Sequence, residues 1–175
     1  MMKNTAKKRV IEGAKLIVYD FDGVMTDNKV ILREDGLESV IVNRSDGLAV
    51  SRLKSCGIPQ IILSTEKNKV VAKRAQKIGI PVIHDVSDKQ GFLRKYCRQN
   101  NILLKDVVYV GNDLNDLQAM KSVGYPVCPS DACKEVRAVS IFILSAVGGG
   151  GVVRELLDYI KIEATNEDRR ACNSS

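Results

Sequence analysis

The sequence predicts an α/β fold: a mostly parallel, Rossmann-like sheet with helices on both faces, giving three layers. Three observations predict it. Short apolar runs alternate with segments of helical pattern along most of the chain. The runs are rich in valine and isoleucine at consecutive positions, as strands covered on both faces should be. Gly57, Gly79 and Gly124 each follow a helical segment where a left-handed cap is wanted.

The first strand is predicted at 15–19, where Leu16, Ile17, Val18 and Tyr19 run without a polar break. The rhythm then changes. Segments 29–33 and 38–43 flank Glu34, Asp35 and Gly36, a β-hairpin with a glycine turn placed as a flap after strand 1, before any helix. Its Val30, Leu32, Val40 and Val42 alternate and form one apolar face with no evident cover in the chain. Strict alternation follows: helix 46–55, strand 60–63, helix 67–78, strand 81–83, helix 89–99, strand 107–110, helix 114–122, strand 126–128, helix 132–136, strand 141–144 and helix 152–162. Residues 1–14 read as a basic N-terminal segment, 15–163 as one folded domain, and 164–175 as a polar tail expected to be disordered.

A length of 175 residues suits one domain, and 45% apolar with 27% charged residues is a globular composition. The longest apolar runs are four residues, far below the roughly 20 of a membrane-spanning helix. No apolar stretch follows the basic start, so no secretory signal is read, and a cytoplasmic protein is expected. The net charge of +6 is concentrated in residues 1–15, where Lys3, Lys7, Lys8, Arg9 and Lys15 face only Glu12. With aromatics at 5% and no tryptophan, this pattern argues against nucleic acid as a partner. His84 is the single histidine, which excludes zinc sites built on several histidines. Cys56, Cys97, Cys128, Cys133 and Cys172 form no C-x-x-C pair and read as reduced thiols.

The strongest chemical signal is Asp20-Phe21-Asp22-Gly23-Val24-Met25-Thr26-Asp27, at the carboxyl end of the first strand. Sites in open parallel sheets lie beyond those ends, and two carboxylates one residue apart repel unless a cation joins them. The pair therefore points to Mg²⁺ as cofactor. Ser64 and Thr65 follow strand 60–63 and offer a hydroxyl and N–H groups to an anion. Lys89 opens a helix, where it can neutralise phosphate charge. Gly111-Asn112-Asp113-Leu114-Asn115-Asp116 follows strand 107–110 and adds oxygen ligands. Each of these could instead be a helix cap or a solvated lysine. Four in this order, each just past a strand, are not coincidence.

This set resembles the four motifs of the haloacid dehalogenase-like (HAD) phosphatase superfamily. Within it the chain is similar to the members without a cap domain that dephosphorylate 2-keto-3-deoxy sugar acids. The hairpin, Asp46-Gly47, Pro129-Ser130-Asp131-Ala132 and Gly148-Gly149-Gly150-Gly151-Val152-Val153-Arg154-Glu155 carry that closer likeness. The resemblance implies a phosphomonoester hydrolase using Mg²⁺, with Asp20 as nucleophile and Asp22 as general acid and base, its backbone carbonyl on the metal. Ser64 and Lys89 would hold the phosphoryl oxygens, with Gly23, Thr65 and Asp116 also on the phosphate or substrate. Where relatives have G-D-D this chain has Gly111-Asn112-Asp113. Both Asn112 and Asp113 are thus candidate metal ligands, with Asp113 the expected anionic one.

For the substrate, Thr65-Glu66 stands where octulosonate phosphatases usually carry Gly-Arg. Glu66 with Arg74 and Lys77 is similar to the pattern of the branch acting on nine-carbon sialic-type acid 9-phosphates. Arg74 and Lys77 share one helix face at i, i+3. The alternative substrate is 3-deoxy-octulosonate 8-phosphate. A further alternative is a weakly active, tetramerising module of the kind attached to sialic acid cytidylyltransferases. A receiver domain is set aside because its acceptor Asp ends the third strand. The resemblance also implies a homotetramer packed through its hairpins, with Arg74 or Gly148–Gly151 completing a neighbour's site.

Overall fold

The computed structural model describes residues 10–67 and 69–162. In chain order the elements are β1 (Leu16–Tyr19), β2 (Ile31–Leu32), β3 (Glu38–Ser39), α1 (Arg44–Ser55), β4 (Gln60–Leu63), α2 (Lys69–Ile78), β5 (Val82–Ile83), α3 (Lys89–Gln99), β6 (Val107–Val110), α4 (Leu117–Lys121), β7 (Tyr125–Cys128), α5 (Lys134–Val139), β8 (Phe142–Ile143) and α6 (Val152–Leu157). Six strands form one sheet in the order β5-β4-β1-β6-β7-β8, all parallel. β1 pairs with β4 on one side and β6 on the other, so the strand order reverses beside it and a crevice opens beyond its carboxyl end. The three-layer expectation is met, and the tail at 164–175 lies outside the described residues.

Alternation along the strands sorts side chains between two cores. Ile17 and Tyr19 of β1 join Val50 and Leu53 of α1, Val71 of α2 and Leu156 of α6. Leu16 and Val18 face the other way, toward Leu93 of α3, Met120 of α4 and Val136 of α5. Every residue of β1, β4 and β6 is buried, which is why these runs carry no polar alternation.

Four expectations change. The helix expected from 114 begins at Leu117, because Asp116 folds its carboxylate back to accept from Asn112 N at 3.0 Å. The helix expected to reach 162 stops at Leu157; the chain then extends, and Ile160 bridges to buried Ile11, with Lys161 N donating to Ile11 O at 2.9 Å. Gly57 and Gly79 take the left-handed cap, with φ of 73° and 70°. Gly124 does not; there a Cβ would lie 1.8 Å from the Lys105 carbonyl oxygen, so a close backbone approach is what demands glycine.

The hairpin is the fourth. Only Ile31 with Ser39 and Leu32 with Glu38 form its ladder, and a separate bridge, Thr26 to Val42, closes its stem. Its expected apolar face divides. Val40 and Val42 pack against the core, whereas Val30 is 53% and Leu32 69% exposed. The stem is anchored and the tip stands in solvent.

No helix among the described residues is long and apolar enough to cross a membrane. The glycine-rich segment 148–151 packs beneath the turn that follows β1: Gly149 N donates to Val24 O at 3.1 Å, and a Cβ on Gly148 would lie 2.4 Å from Gly23 O. Three carboxylates fix this brace. Asp131 accepts from Gly148 N at 3.0 Å, Glu155 accepts from Ser145 N and Ala146 N at 2.9 and 2.7 Å, and Asp46 accepts from Arg154 N at 3.0 Å.

Candidate active site

Three buried charged side chains meet at the carboxyl ends of β1 and β6. The Lys89 ammonium, 1% exposed at the first position of α3, donates to Asp20 Oδ1 and to Asp116 Oδ1, both at 2.7 Å. α3 is started by Asp88, whose side chain accepts from Gly91 N at 2.8 Å. Asp20 is set by β1, its N–H donating to Val110 O at 2.9 Å. Tyr109 of β6 donates its hydroxyl to Asp116 Oδ1 at 2.9 Å.

Two carboxylates and one ammonium leave a surplus negative charge in a place water hardly reaches. Burial first, then the nearby Asp116 charge, push Asp20 up to about 7, against the pull of Lys89. Burial works against the Lys89 ammonium, but Asp20 and Asp116 outweigh it and leave its pKa raised. The direction that stands is a charged lysine and a carboxyl pair short of one positive charge.

Beyond Asp20 the mouth opens, about 300 Å³, lined by Asp20, Asp22, Thr65, Glu66, Asn112 and Asp113 among others. Asp22 is half-buried, and its pKa is raised, first by burial and then by Glu66. The Asn112 carboxamide reaches the same point as Asp20 and the Asp22 backbone. With its NH₂ turned inward it donates to Asp20 Oδ2 at 3.1 Å and to Asp22 O at 2.9 Å. With its oxygen inward, three oxygens meet at those separations, close to the roughly 2.9 Å edge of an octahedron with ligands at about 2.0–2.1 Å. The donors are all oxygen, and they suit a hard divalent cation of Mg²⁺ size. Gly23 makes room for this amide: its φ is 82°, and a Cβ there would lie 2.0 Å from Asn112 Nδ2.

Of the candidates, Asp20, Asp22, Thr65, Glu66, Asn112 and Asp113 share the mouth, and Lys89 stands behind Asp20. Ser64, just past β4, is buried, its Oγ accepting from Glu66 N at 3.0 Å. Four placements differ from expectation. Asn112, not Asp113, reaches the Asp20–Asp22 point; Asp113 is exposed at the rim and its Oδ1 accepts from Leu114 N at 2.7 Å. Asp116 has no exposed surface and holds Lys89 and the 112–113 backbone instead of facing the mouth. Arg74 turns inward, 8% exposed, donating from Nη2 to Asn43 O at 2.7 Å. Lys77 is exposed on α2 and lines neither the mouth nor its neighbouring pocket. Arg74 and the 148–151 segment are thus both engaged inside their own chain.

Tyr109, Asn28 and Glu38 were not legible as site residues. Tyr109 reads as one more apolar strand position, and only the three-dimensional pairing with Asp116 reveals its hydroxyl. Asn28 lines the mouth, and with Glu38 it also walls an adjoining pocket of about 240 Å³ between the hairpin and α2. Their signal was the hairpin itself, a flap over the site.

The chain is similar to several known proteins. The family pattern described as haloacid dehalogenase-like hydrolase matches residues 50–156. A structure described as a HAD family hydrolase from Streptomyces avermitilis is 41% identical, with a TM-score of 0.83 and 85% of each chain covered. The 3-deoxy-D-manno-octulosonate 8-phosphate phosphatase of Moraxella catarrhalis, solved with magnesium, phosphate and KDO, is 33% identical with a TM-score of 0.81, covering 83% of this chain and 84% of that one. N-acylneuraminate cytidylyltransferase A of Danio rerio is 27% identical over 94% of this chain, which spans only 40% of that protein's length.

The raised pKa values set a pH dependence. Asp20 stays protonated in the metal-free fold up to about pH 7, whereas in the unfolded chain it has an ordinary aspartate pKa of 3.8. The stability it contributes is therefore full below about pH 4 and lost as the pH rises through about 7; Asp22 and Asp46, also raised, act in the same sense. Urea unfolding of metal-free protein at fixed pH should lose free energy over that window, and Asp20→Asn should flatten the loss. An unchanged slope in the variant would show that Asp20 is not the group responsible.

Proposed function

This chain belongs to the haloacid dehalogenase-like hydrolases and is a Mg²⁺-dependent phosphatase of that family, and we propose that it hydrolyses the phosphate ester of a 2-keto-3-deoxy sugar acid through a covalent phosphoryl-Asp20. The observation that carries this reading is the Asp20 carboxylate, held at 2.7 Å by a buried lysine and at 3.1 Å from the Asn112 amide, with Asp22 beside it on an open mouth. Asp20, Asp22 O and Asn112 would hold the ion, which supplies positive charge to the phosphoryl oxygens. Asp20 attacks phosphorus as the ester P–O bond breaks, and Asp22 gives its proton to the leaving oxygen. Its raised pKa keeps that proton available. Asp22 then takes a proton from water, which displaces inorganic phosphate and restores the Asp20 carboxylate. Lys89 holds Asp20 in position and offsets charge at the phosphoryl group throughout. Ser64, Thr65 and the Gly23 backbone complete the anion's surroundings. Asp20→Asn should lower turnover of a generic phosphate ester about a thousandfold or more without unfolding the protein. EDTA should abolish wild-type turnover and Mg²⁺ restore it; near-wild-type rates in the variant would remove Asp20 from its role.

Among sugar acids, we favour a nine-carbon sialic-type acid 9-phosphate. Glu66 supports it, standing on both the mouth and the adjoining pocket, where it can accept hydrogen bonds from leaving-group hydroxyls. The likeness to a cytidylyltransferase named for N-acylneuraminate points the same way. The second reading is 3-deoxy-octulosonate 8-phosphate, favoured by the Moraxella relative. A kinetic panel separates them: kcat/KM should be higher for the 9-phosphates, and Glu66→Ala should cost more on the preferred sugar than on a small ester. The reverse order would assign the octulosonate.

The partner we propose is a second, third and fourth copy of the chain. Val30, Ile31, Leu32, Leu37 and Ile41 on the hairpin are each more than half exposed, and a two-stranded unit is marginal alone. Hairpin packing in a cytoplasmic homotetramer would cover them. Light scattering at micromolar concentration should give a tetramer mass, and a monomer would refute the assembly.

A further inference from the structure

The point where Asp20 Oδ2, Asp22 O and the Asn112 amide meet is a cradle poor in negative charge for a divalent ion. Among the described residues no three His, Cys, Asp or Glu side chains converge as a metal cage. One carboxylate reaches the point, and its other oxygen already accepts from Lys89 at 2.7 Å. Asp113, the nearest further anion in sequence, turns its Oδ1 to Leu114 N at 2.7 Å. The remaining two donors are neutral. A carboxylate has the same size as the Asn112 amide, but its oxygen would face only acceptors there unless a cation joined them.

Charge decides what this difference does. A divalent ion held by two carboxylates has its charge cancelled within the cradle. Held by one, it keeps a positive charge facing the mouth. That mouth is otherwise walled by Asp22, Glu66 and Asp113, with no cationic side chain on its lining, so a phosphate dianion meets repulsion there. Mg²⁺ is reluctant to shed water and is commonly held by one or two carboxylates plus the substrate's phosphate.

We propose that Asn112 makes the ion bind jointly with the phosphoryl group instead of residing in the empty enzyme, because a neutral amide weakens Mg²⁺ alone and leaves the ion's charge for the phosphate. This rests on the phosphatase reading above. By linkage, whatever factor phosphate adds to the affinity for Mg²⁺, Mg²⁺ adds to the affinity for phosphate.

Titration calorimetry with MgCl₂ and inorganic phosphate, singly and together, tests it on the whole protein. In wild type, saturating phosphate should tighten Mg²⁺ by about tenfold or more, and Mg²⁺ should tighten phosphate by the same factor. In Asn112→Asp, Mg²⁺ alone should bind about tenfold tighter, and the mutual factor should fall toward one. Metal-free Asn112→Asp should also melt below wild type, since it adds a carboxylate against Asp20, and should gain more from Mg²⁺. The wild-type titrations stand even where the variant folds poorly. No mutual tightening in wild type overturns the proposal. So does Mg²⁺ affinity unchanged in Asn112→Asp but lost in Asp113→Asn, which would move the ligand to Asp113. Either result with Mg²⁺-dependent turnover intact leaves the phosphatase reading standing; absence of both turnover and Mg²⁺ binding overturns the two together.

Discussion

The arrangement turns on one ammonium group. Lys89 is buried with no exposed side-chain surface between two carboxylates, each at 2.7 Å. Taking it out of water costs several kcal/mol, which only near-ideal partners offset. Those partners come from the end of β1 and from the loop after β6, while Lys89 begins α3. The pairing therefore sews together the central strand, its neighbour and a helix from the opposite layer. Losing the lysine would leave two buried carboxylates uncompensated, an effect of about 3–5 kcal/mol. Asp116 cannot be spared for substrate, because it also takes the Tyr109 hydroxyl and the Asn112 N–H.

Around that centre the site is held mostly by backbone. The turn after β1 is wound by Met25 N to Phe21 O at 2.9 Å and tied by Thr26 Oγ1, which accepts from Gly23 N and Asn28 N, both at 3.2 Å. Below it lies the 148–151 segment, so near that a Cβ on Gly148 or Gly149 would collide with the turn's own backbone. Asp131, Glu155 and Asp46 each use a carboxylate on main-chain N–H groups of the 145–154 region. Such charge-assisted bonds are strong and directional. They give the glycine-rich signature a mechanical reading: glycines permit the approach, and acids on either side fix it.

Much of this was legible because the physics is local or periodic. Strands buried on both faces read as near-continuous apolar runs, so β1, β4 and β6 announced themselves, and the carboxyl-end rule placed Asp20, Ser64 and Asn112 near one crevice. The choice between Asn112 and Asp113 was not legible. Adjacent residues in a loop point in different directions, and the outcome here hangs on Asp116 drawing in their N–H groups. Arg74 misled for a related reason: helix-face spacing shows that it shares a side with Lys77 but not that the side chain turns back to the Asn43 carbonyl at the start of α1. Tyr109 was invisible because a strand tyrosine and a strand valine obey the same pattern. What sequence reveals well is which residues line up; what it hides is which polar atoms meet across the layers.

The hairpin links size selection to stability. Its Val30, Glu38 and Val40 form one wall of the pocket beside the mouth, and Val70 and Val71 of α2 form part of the other. A wall that selects among leaving groups must hold its position to within a fraction of their size. The ladder that holds it has two residue pairs, and Val40, Val42 and the Thr26–Val42 bridge anchor it to the body. Two strands that short are not stable by themselves. The apolar tip adds nothing within the chain, since Ile31 and Leu32 face water at 62% and 69% exposure. Covering that tip would stiffen the wall without altering the mouth. In the proposed tetramer the contact that covers the exposed apolar surface would also give the pocket beside the mouth a fixed shape, so discrimination between long and short sugar acids would belong to the assembly, while cleavage of the ester would rest on Asp20 and the groups sewn to it within each chain.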